Sequence, residues 1–210
     1  MKKSIAIVLT LCLLLSLGAC ATKKVVEVDP AVLHGNVSGN TYTNEFLKLQ
    51  CTLPDGWSFY DEAQIAELNQ MTQQVMEGSE IAEAIEKSGQ YMDMFFSSAD
   101  GRCNANLNFQ LNDHKADLFS DEKLFEAMES TVTKQLSDAG MTVNSYNVET
   151  LNFCGEEKTC IRLEQTVNGL DLTQYILYFR NETNYYGALT LSCMGDTDVQ
   201  TLLDCFSKLP

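Results

Sequence analysis

The sequence predicts an α+β domain in which an antiparallel sheet of about six strands carries helices on both faces. Two patterns predict this fold class. Stretches that alternate between apolar and polar residues are interspersed with stretches of helical periodicity, in the order strand, helices, two strands, helix, four strands, helix. In addition, residues 91–96 are apolar on both faces, as expected of a central strand that is covered on each side.

The first elements of the domain are a strand, a turn and two helices. Residues 46–53 alternate strictly and predict a half-buried strand, and Pro54-Asp55-Gly56 supplies a turn. Asp61 is expected to cap a helix, with Gln64 as its capping-box partner. A second, short helix is expected over residues 79–89.

A strand pair and a longer helix come next. Residues 91–96 and 103–111 predict two neighbouring strands. Ser120 is placed to cap a helix that carries an apolar stripe and ends at Gly140. One face of this helix is therefore expected to pack on the sheet.

The C-terminal part predicts four strands and a last helix. Asn168-Gly169 is a strong signal for a hairpin between the second and third of these strands. The last helix is expected to carry an apolar stripe from Val199 to Phe206, with Asp196 or Thr197 as its cap. The four strands are predicted over residues 142–153, 159–167, 171–180 and 185–193.

The first twenty residues predict export. Lys2 and Lys3 precede an apolar run over residues 5–19, which is shorter than the roughly 20 residues that a spanning helix needs. The run matches the hydrophobic region of a signal peptide. Leu17-Gly18-Ala19 followed by Cys20 resembles the bacterial lipobox, which implies cleavage before Cys20 and a lipid on its sulfur. The alternatives are an uncleaved signal anchor and an ordinary signal peptide without a lipid.

The predicted organisation is a signal peptide over residues 1–19, a lipidated cysteine and flexible tether over 20–43, and a single α+β domain over 44–210. Cleavage removes two lysines and no acids, so the net charge of −15 becomes −17. Such a surface repels phosphate backbones, which argues against a nucleic-acid partner. The lipid bilayer is expected to be contacted through the acylated Cys20, which places the domain outside the cytoplasm.

Six cysteines remain in the domain once Cys12 and Cys20 are set aside. Cys154 and Cys160 alternate out of phase with their apolar neighbours and flank the turn at residues 155–158. They are therefore expected to leave the core face and to form a disulfide across the hairpin mouth. No CxxC pair or Cys/His cluster occurs, so no metal site is predicted. The other four cysteines are expected to act as small apolar residues. Cys51, Cys103 and Cys193 are expected in the core, and Cys205 beside the last helix.

Residues 44–57, Asn-Glu-Phe-Leu-Lys-Leu-Gln-Cys-Thr-Leu-Pro-Asp-Gly-Trp, resemble the opening strand and turn of bacterial lipoproteins with a PsbP-like fold. That superfamily includes an extrinsic subunit of photosystem II and a factor that binds the Ran GTPase. The resemblance implies an α/β/α sandwich and a role in binding rather than catalysis. Cys51 stands where those relatives often carry an aromatic residue. No functional residues are carried across, because the two branches bind unrelated partners on unrelated surfaces.

Catalytic residues are not predicted. His34 lies in the expected tether and His114 in a polar loop, and neither has a serine or cysteine in a nucleophile-elbow context. Carboxylates are plentiful in so acidic a chain, but no pair stands out. A hydrolase with dispersed carboxylates therefore remains only a third alternative.

Two sets of side chains are candidates for binding. Asparagines alternate on one face of the strand at 103–111, where they either bind a sugar or peptide or form the solvated side of the sheet. An aromatic cluster follows the first turn, where it either closes the core or marks a partner site. The asparagines are Asn104, Asn106 and Asn108, and the aromatic residues are Trp57, Phe59 and Tyr60.

The sequence as a whole predicts a lipid-anchored, extracytoplasmic and non-catalytic module that uses no cofactor and binds another protein of the cell envelope. The alternative is a surface module that captures a small ligand or glycan. A partner-binding module should expose an apolar patch rimmed by acids and have no deep pocket, whereas a capture module should have a pocket of about 300 Å³ or more with convergent polar groups. A hydrolase should place two carboxylates face to face in a cleft.

Overall fold

The computed structural model describes residues 26–68, 90–111, 119–167, 169–180 and 183–209. Within these ranges the chain forms eleven strands, a 3₁₀ turn over Pro30–Leu33, a helical stretch over residues 62–68, helix α1 over Asp121–Asp138 and helix α2 over Gln200–Leu203. The strands are β1 Asn36–Ser38, β2 Thr41–Asn44, β3 Leu49–Thr52, β4 Ser58–Phe59, β5 Tyr91–Ser97, β6 Cys103–Leu111, β7 Thr142–Phe153, β8 Glu156–Val167, β9 Leu170–Arg180, β10 Tyr185–Met194 and β11 Phe206–Lys208.

The strands form two antiparallel sheets. The large sheet has seven strands in the order β4-β5-β6-β10-β9-β8-β7, and the small sheet has four in the order β1-β2-β3-β11. The α+β class is therefore confirmed. The expectation of about six strands with helices on both faces is wrong, because the described residues place helix α1 on one face of the large sheet and the small sheet on the other.

Two apolar cores follow from this arrangement. Beneath α1, the buried stripe of the helix meets Ile161, Leu163 and Ile176 of the large sheet. On the opposite face, side chains of the large sheet such as Leu107 and Leu189 pack against the small sheet. Strands of the large sheet are consequently buried on both faces, as the apolar pattern of residues 91–96 predicts.

Helix α1 forms as the sequence predicts. The Ser120 Oγ accepts a hydrogen bond from the Lys123 amide at 3.4 Å, and Asp121 and Glu122 lie in the first turn, where the helix dipole favours acids. Gly140 follows the helix with a φ of 81°, a left-handed conformation that suits glycine. The apolar stripe is fully or almost fully buried and consists of Leu124, Phe125, Met128, Val132 and Leu136.

The N-terminal segment differs from the prediction. Residues 26–43 contain the 3₁₀ turn and strands β1 and β2, and β2 pairs with β3 in the small sheet. Leu33 and Tyr42 are fully buried in the core. The flexible tether expected over 20–43 is therefore wrong for this part, while residues 20–25 lie outside the described ranges. Strands of three and four residues are too short to show a sustained period in the sequence.

The C-terminal helix is also shorter than expected. Helix α2 ends at Leu203, and Phe206 begins β11, which pairs with β3 opposite Cys51. No side chain caps α2 at Asp196 or Thr197, because its N-cap residue is Val199. An i, i+3, i+4 pattern over only two turns cannot distinguish a helix from a helical turn followed by a buried strand.

The start of the first predicted helix is confirmed. Residues 62–68 are helical, and Asp61 and Gln64 exchange backbone-to-side-chain hydrogen bonds of 2.9 Å each, which is a capping box. The second short helix, His114, the signal peptide and Cys20 lie outside the described residues. Among the helices that are described, none is both long and apolar enough to cross a bilayer.

Candidate ligand-binding site

The amide row consists of Asn104, Asn106, Asn108 and Gln110, which alternate along β6 on the face of the large sheet that also carries α1. All four side chains are buried, and Asn106 is 0% exposed. The interpretation of the asparagines as the solvated side of a strand is therefore wrong. Their role as a ligand face stays a prediction.

The neighbouring strands extend this polar surface. Register places Ser192 of β10 opposite Asn104 and Thr190 opposite Asn106, and Gln174 of β9 lies opposite Ser192. All three are buried. With Gln165 of β8, these residues and the amide row form what we name the polar belt.

Part of the polar belt is internally satisfied. The Gln165 Nε2 donates to the Gln174 Oε1 at 2.7 Å, and the Gln174 Nε2 donates to the Ser192 Oγ at 2.9 Å. In the amide row, the Asn108 Nδ2 donates to the Asn106 Oδ1 at 2.6 Å. These bonds fix the amide orientations within the sheet.

Three buried atoms of the polar belt have no hydrogen-bond partner among the residues that the structure describes. They are the Asn104 Oδ1, the Asn106 Nδ2 and the Gln165 Oε1. A buried polar atom without a partner costs about 1–3 kcal/mol, and about nine in ten such atoms in proteins are paired. Two acceptors and one donor, on uncharged and fully buried side-chain atoms, thus lack partners, and only a molecule with complementary groups that reached the interior could satisfy them.

A second cluster, which the sequence analysis missed, surrounds Asp93. This residue lies at a bulge in β5, where the register with β6 shifts, and its side chain is only 3% exposed. Its carboxylate accepts hydrogen bonds from the Gly35 amide at 2.9 Å, the Tyr42 hydroxyl at 2.5 Å and the Asn44 Nδ2 at 3.2 Å, and pairs with the His34 Nδ1 at 3.2 Å. The bulge thus aims one carboxylate at the N-terminal segment.

The Asp93 cluster connects two parts of the fold. Burial, followed by the charge of Asp93, raises the pKa of Tyr42, so its hydroxyl stays protonated and donates. The His34 side chain is 60% exposed, and its ring is tilted by 43° against the Tyr91 ring, with ring centroids 4.9 Å apart. An aspartate inside an otherwise apolar strand was the signal in the sequence that could have indicated this cluster.

The aromatic cluster after the first turn packs against β5. Trp57 and Phe59 lie 5.9 and 5.8 Å from Phe96, and Tyr60 lies 4.5 Å from Phe95, measured between ring centroids. All three are half-buried. These contacts account for the aromatic residues by core packing, and a partner-binding role for them stays a prediction.

The predicted disulfide between Cys154 and Cys160 is wrong. All six described cysteines are free, and Cys154 lies in the β7–β8 turn with a φ of 52°. Cys160 is buried in β8 opposite Glu149. Because the large sheet has a core on each face, a residue out of phase with Ile161 enters the second core instead of leaving the first. Burial raises the pKa of Cys160 to about 12, so its thiol is protonated at neutral pH.

Metal binding has no support in the described part of the chain, since no three His, Cys, Asp or Glu side chains there are placed to share an ion. No family model matches the sequence, and no curated protein matches it.

Two solved structures are similar in fold. The solution structure of cyanobacterial PsbP (CyanoP) from Synechocystis sp. PCC 6803 matches with a TM-score of 0.44 and 14% identity, over 91% of this chain and 98% of that chain. The crystal structure of LpqN, involved in cell envelope biogenesis of Mycobacterium tuberculosis, matches with a TM-score of 0.38 and 11% identity, over 77% of this chain and 83% of that chain. Neither match identifies a ligand or partner for this chain.

Proposed function

We propose that the protein is a lipid-anchored, extracytoplasmic module that binds a neutral polar ligand at the polar belt without transforming it. The observation that carries this proposal is that three buried polar atoms, on Asn104, Asn106 and Gln165, have no partner within the described ranges. A protein interior seldom leaves such atoms unpaired, and a bound molecule would satisfy them.

The composition of the polar belt indicates the class of ligand. The belt consists of amides and hydroxyls and contains no charged residue, so it offers hydrogen bonds without attracting an ion. The whole chain is strongly acidic, which disfavours an anionic ligand. Alternate residues on a strand are about 7 Å apart, so a ligand with a donor for Asn104 and an acceptor for Asn106 is the size of one sugar ring or one dipeptide. An amide group supplies both.

Binding to the polar belt is tested with small amide probes. Titration with N-acetylglucosamine and with glycylglycine is expected to shift the side-chain amide NMR signals of Asn104 and Asn106 in a saturable way. Glucose, which has no amide, is expected to shift them less. The proposed ligand class would be wrong if neither amide probe moves these signals.

An Asn104→Leu variant separates binding from folding. Leucine has nearly the same size and removes a buried acceptor without leaving any partner unpaired, so the free energy of unfolding is expected to rise by about 1–2 kcal/mol while probe binding is lost. The matched control is Gln174→Leu, which leaves the Gln165 amide and the Ser192 hydroxyl unpaired and should lower stability. Urea unfolding measures both. A destabilising effect of Asn104→Leu would mean that its oxygen already has a partner.

A second candidate function is the binding of an envelope protein. It is favoured by two apolar side chains that are about half exposed, Val37 in the edge strand β1 and Val32 in the preceding 3₁₀ turn. An edge strand such as β1 also has unpaired backbone groups. This function does not depend on the polar belt, so Asn104→Leu would leave it intact.

Lipid anchoring is proposed from the lipobox resemblance at Cys20. Cells fed an alkyne-labelled fatty acid are expected to label the wild-type protein, and the Cys20→Ser variant is expected to lose the label and to leave the membrane fraction. A Cys12→Ser variant serves as the control, because this cysteine lies within the predicted signal peptide. Equal labelling of the Cys20→Ser variant would contradict the anchor.

A further inference from the structure

Cys103 and Cys193 face each other across two central strands of the large sheet. Cys103 is the first residue of β6, and register places it directly opposite Cys193 of β10. Their Sγ atoms are 3.8 Å apart, and both side chains are almost fully buried. In the described part of the chain, these are the only two thiols that share a hydrogen bond.

The backbone shows that this pair has the geometry of a non-hydrogen-bonded pair. The Met194 amide donates to the Arg102 carbonyl at 2.9 Å, which makes the neighbouring pair the hydrogen-bonded one. The backbone groups of Cys103 are instead bonded to Ser98 at the β5–β6 turn. In a non-hydrogen-bonded pair the Cα atoms lie about 4.5 Å apart and the side chains are close, which is within the range that a disulfide can bridge.

We propose that Cys103 and Cys193 form a cross-strand disulfide when the protein is exposed to an oxidising disulfide. The inference depends on the proposed export in one respect, because export would bring the protein to an oxidising compartment. The proximity of the two thiols is a property of the fold and does not depend on export. We therefore expect the disulfide between Cys103 and Cys193, and not between Cys154 and Cys160 as the sequence predicts.

The oxidation balances by thiol–disulfide exchange with a small disulfide such as oxidised glutathione. The Cys103 thiol loses its proton, and the thiolate attacks one sulfur of the oxidant and expels one glutathione thiolate. The Cys193 thiol then loses its proton and attacks the Cys103 sulfur of the mixed disulfide, which expels the second glutathione. Two protons leave the protein, and its two electrons reduce one glutathione disulfide to two thiols.

The surroundings of the pair favour Cys103 as the first nucleophile. The hydrogen bond with the Cys193 thiol, together with the nearby Arg102 guanidinium, lowers the pKa of Cys103, whereas the same hydrogen bond and burial raise the pKa of Cys193. Both sulfurs are shielded from solvent, so exchange is expected during folding or after local opening at this end of the sheet.

The disulfide would join β6 to β10 across a loop of about 90 residues, a length for which closure restricts the unfolded chain strongly. That loop includes α1 and strands β7 to β9. Oxidation is therefore expected to raise the melting temperature of the domain by several degrees without altering the sheet.

The test uses the mature chain refolded in a glutathione redox buffer. Differential alkylation with peptide mass mapping is expected to find one disulfide, between Cys103 and Cys193, and four free thiols among the other described cysteines. Addition of dithiothreitol is expected to lower the melting temperature of the wild type. Cys193→Ala should lose both the disulfide and this response, and Cys160→Ala should keep them.

Two results would overturn the inference. One is a disulfide that maps to another pair of cysteines, and the other is full alkylation of both Cys103 and Cys193 after refolding with excess oxidised glutathione. Circular dichroism of Cys193→Ala checks that the variant folds, and Cys103→Ala gives an independent second variant. Amide-probe titration of the reduced protein tests the proposed function separately, so that failure of one does not imply failure of the other.

Discussion

Replacement of Asp93 by alanine is expected to lower the free energy of unfolding by about 3–5 kcal/mol. The Gly35 amide, the Tyr42 hydroxyl and the Asn44 side chain all donate to this buried carboxylate, and each loses its acceptor in the variant. Asn44 keeps its bond to the Leu33 carbonyl at 2.8 Å, so the loss falls mainly on Gly35 and Tyr42. Chemical denaturation followed by circular dichroism measures the change.

Two variants control the Asp93 experiment. His34→Ala removes only the most exposed member of the cluster and is expected to change stability by less than about 1 kcal/mol. Tyr42→Phe removes one donor and keeps the buried ring, so it should have an intermediate effect. If Asp93→Ala were as stable as His34→Ala, the carboxylate would not hold the N-terminal segment to β5.

Removal of residues 20–43 is expected to abolish cooperative folding. A flexible tether could be deleted without effect, whereas the structure places two strands of the small sheet and the buried side chains of Leu33 and Tyr42 in this segment. Burial of two such side chains is worth roughly 1.5–3 kcal/mol each, and the deletion also leaves Asp93 without most of its donors. The sum approaches the 5–15 kcal/mol that typically stabilises a whole domain.

A chain that begins at Val26 is the matched control for this deletion. It keeps every described residue and is expected to unfold at the same temperature as the mature protein. Thermal unfolding by calorimetry compares it with a chain that begins at Asn44. Equal melting temperatures for the two shortened chains would show that the N-terminal segment does not belong to the core.

The long, strongly periodic elements could be predicted from the sequence. Helix α1 has a cap, a dipole-compatible first turn and a five-residue apolar stripe, and each of these local signals agrees with its packing on the sheet. Strands β7 to β10 are ten to twelve residues long and are separated by turns with recognisable residues. Their predicted and observed bounds are nearly the same, and the largest difference is at the start of β8.

The small sheet could not be predicted, because its strands are only three or four residues long and one of them, β11, comes from the far end of the chain. Alternation along the individual strands was interpreted as one core face and one solvent face, although helices were expected on both faces of the sheet. Cys160 was therefore assigned to solvent when it belongs to the second core. Alternation along β6 likewise indicated one wet face, although both faces are buried and the amides lie on the face that also carries α1.

The early start of the folded structure limits how far the domain can stand from a membrane. If Cys20 carries the lipid, only five residues separate it from Val26, the first residue of the described fold. Even at full extension, that stretch of chain spans only about 20 Å. A domain held so near the lipid headgroups samples few orientations, and it would meet molecules at the bilayer surface more often than molecules farther out in the medium.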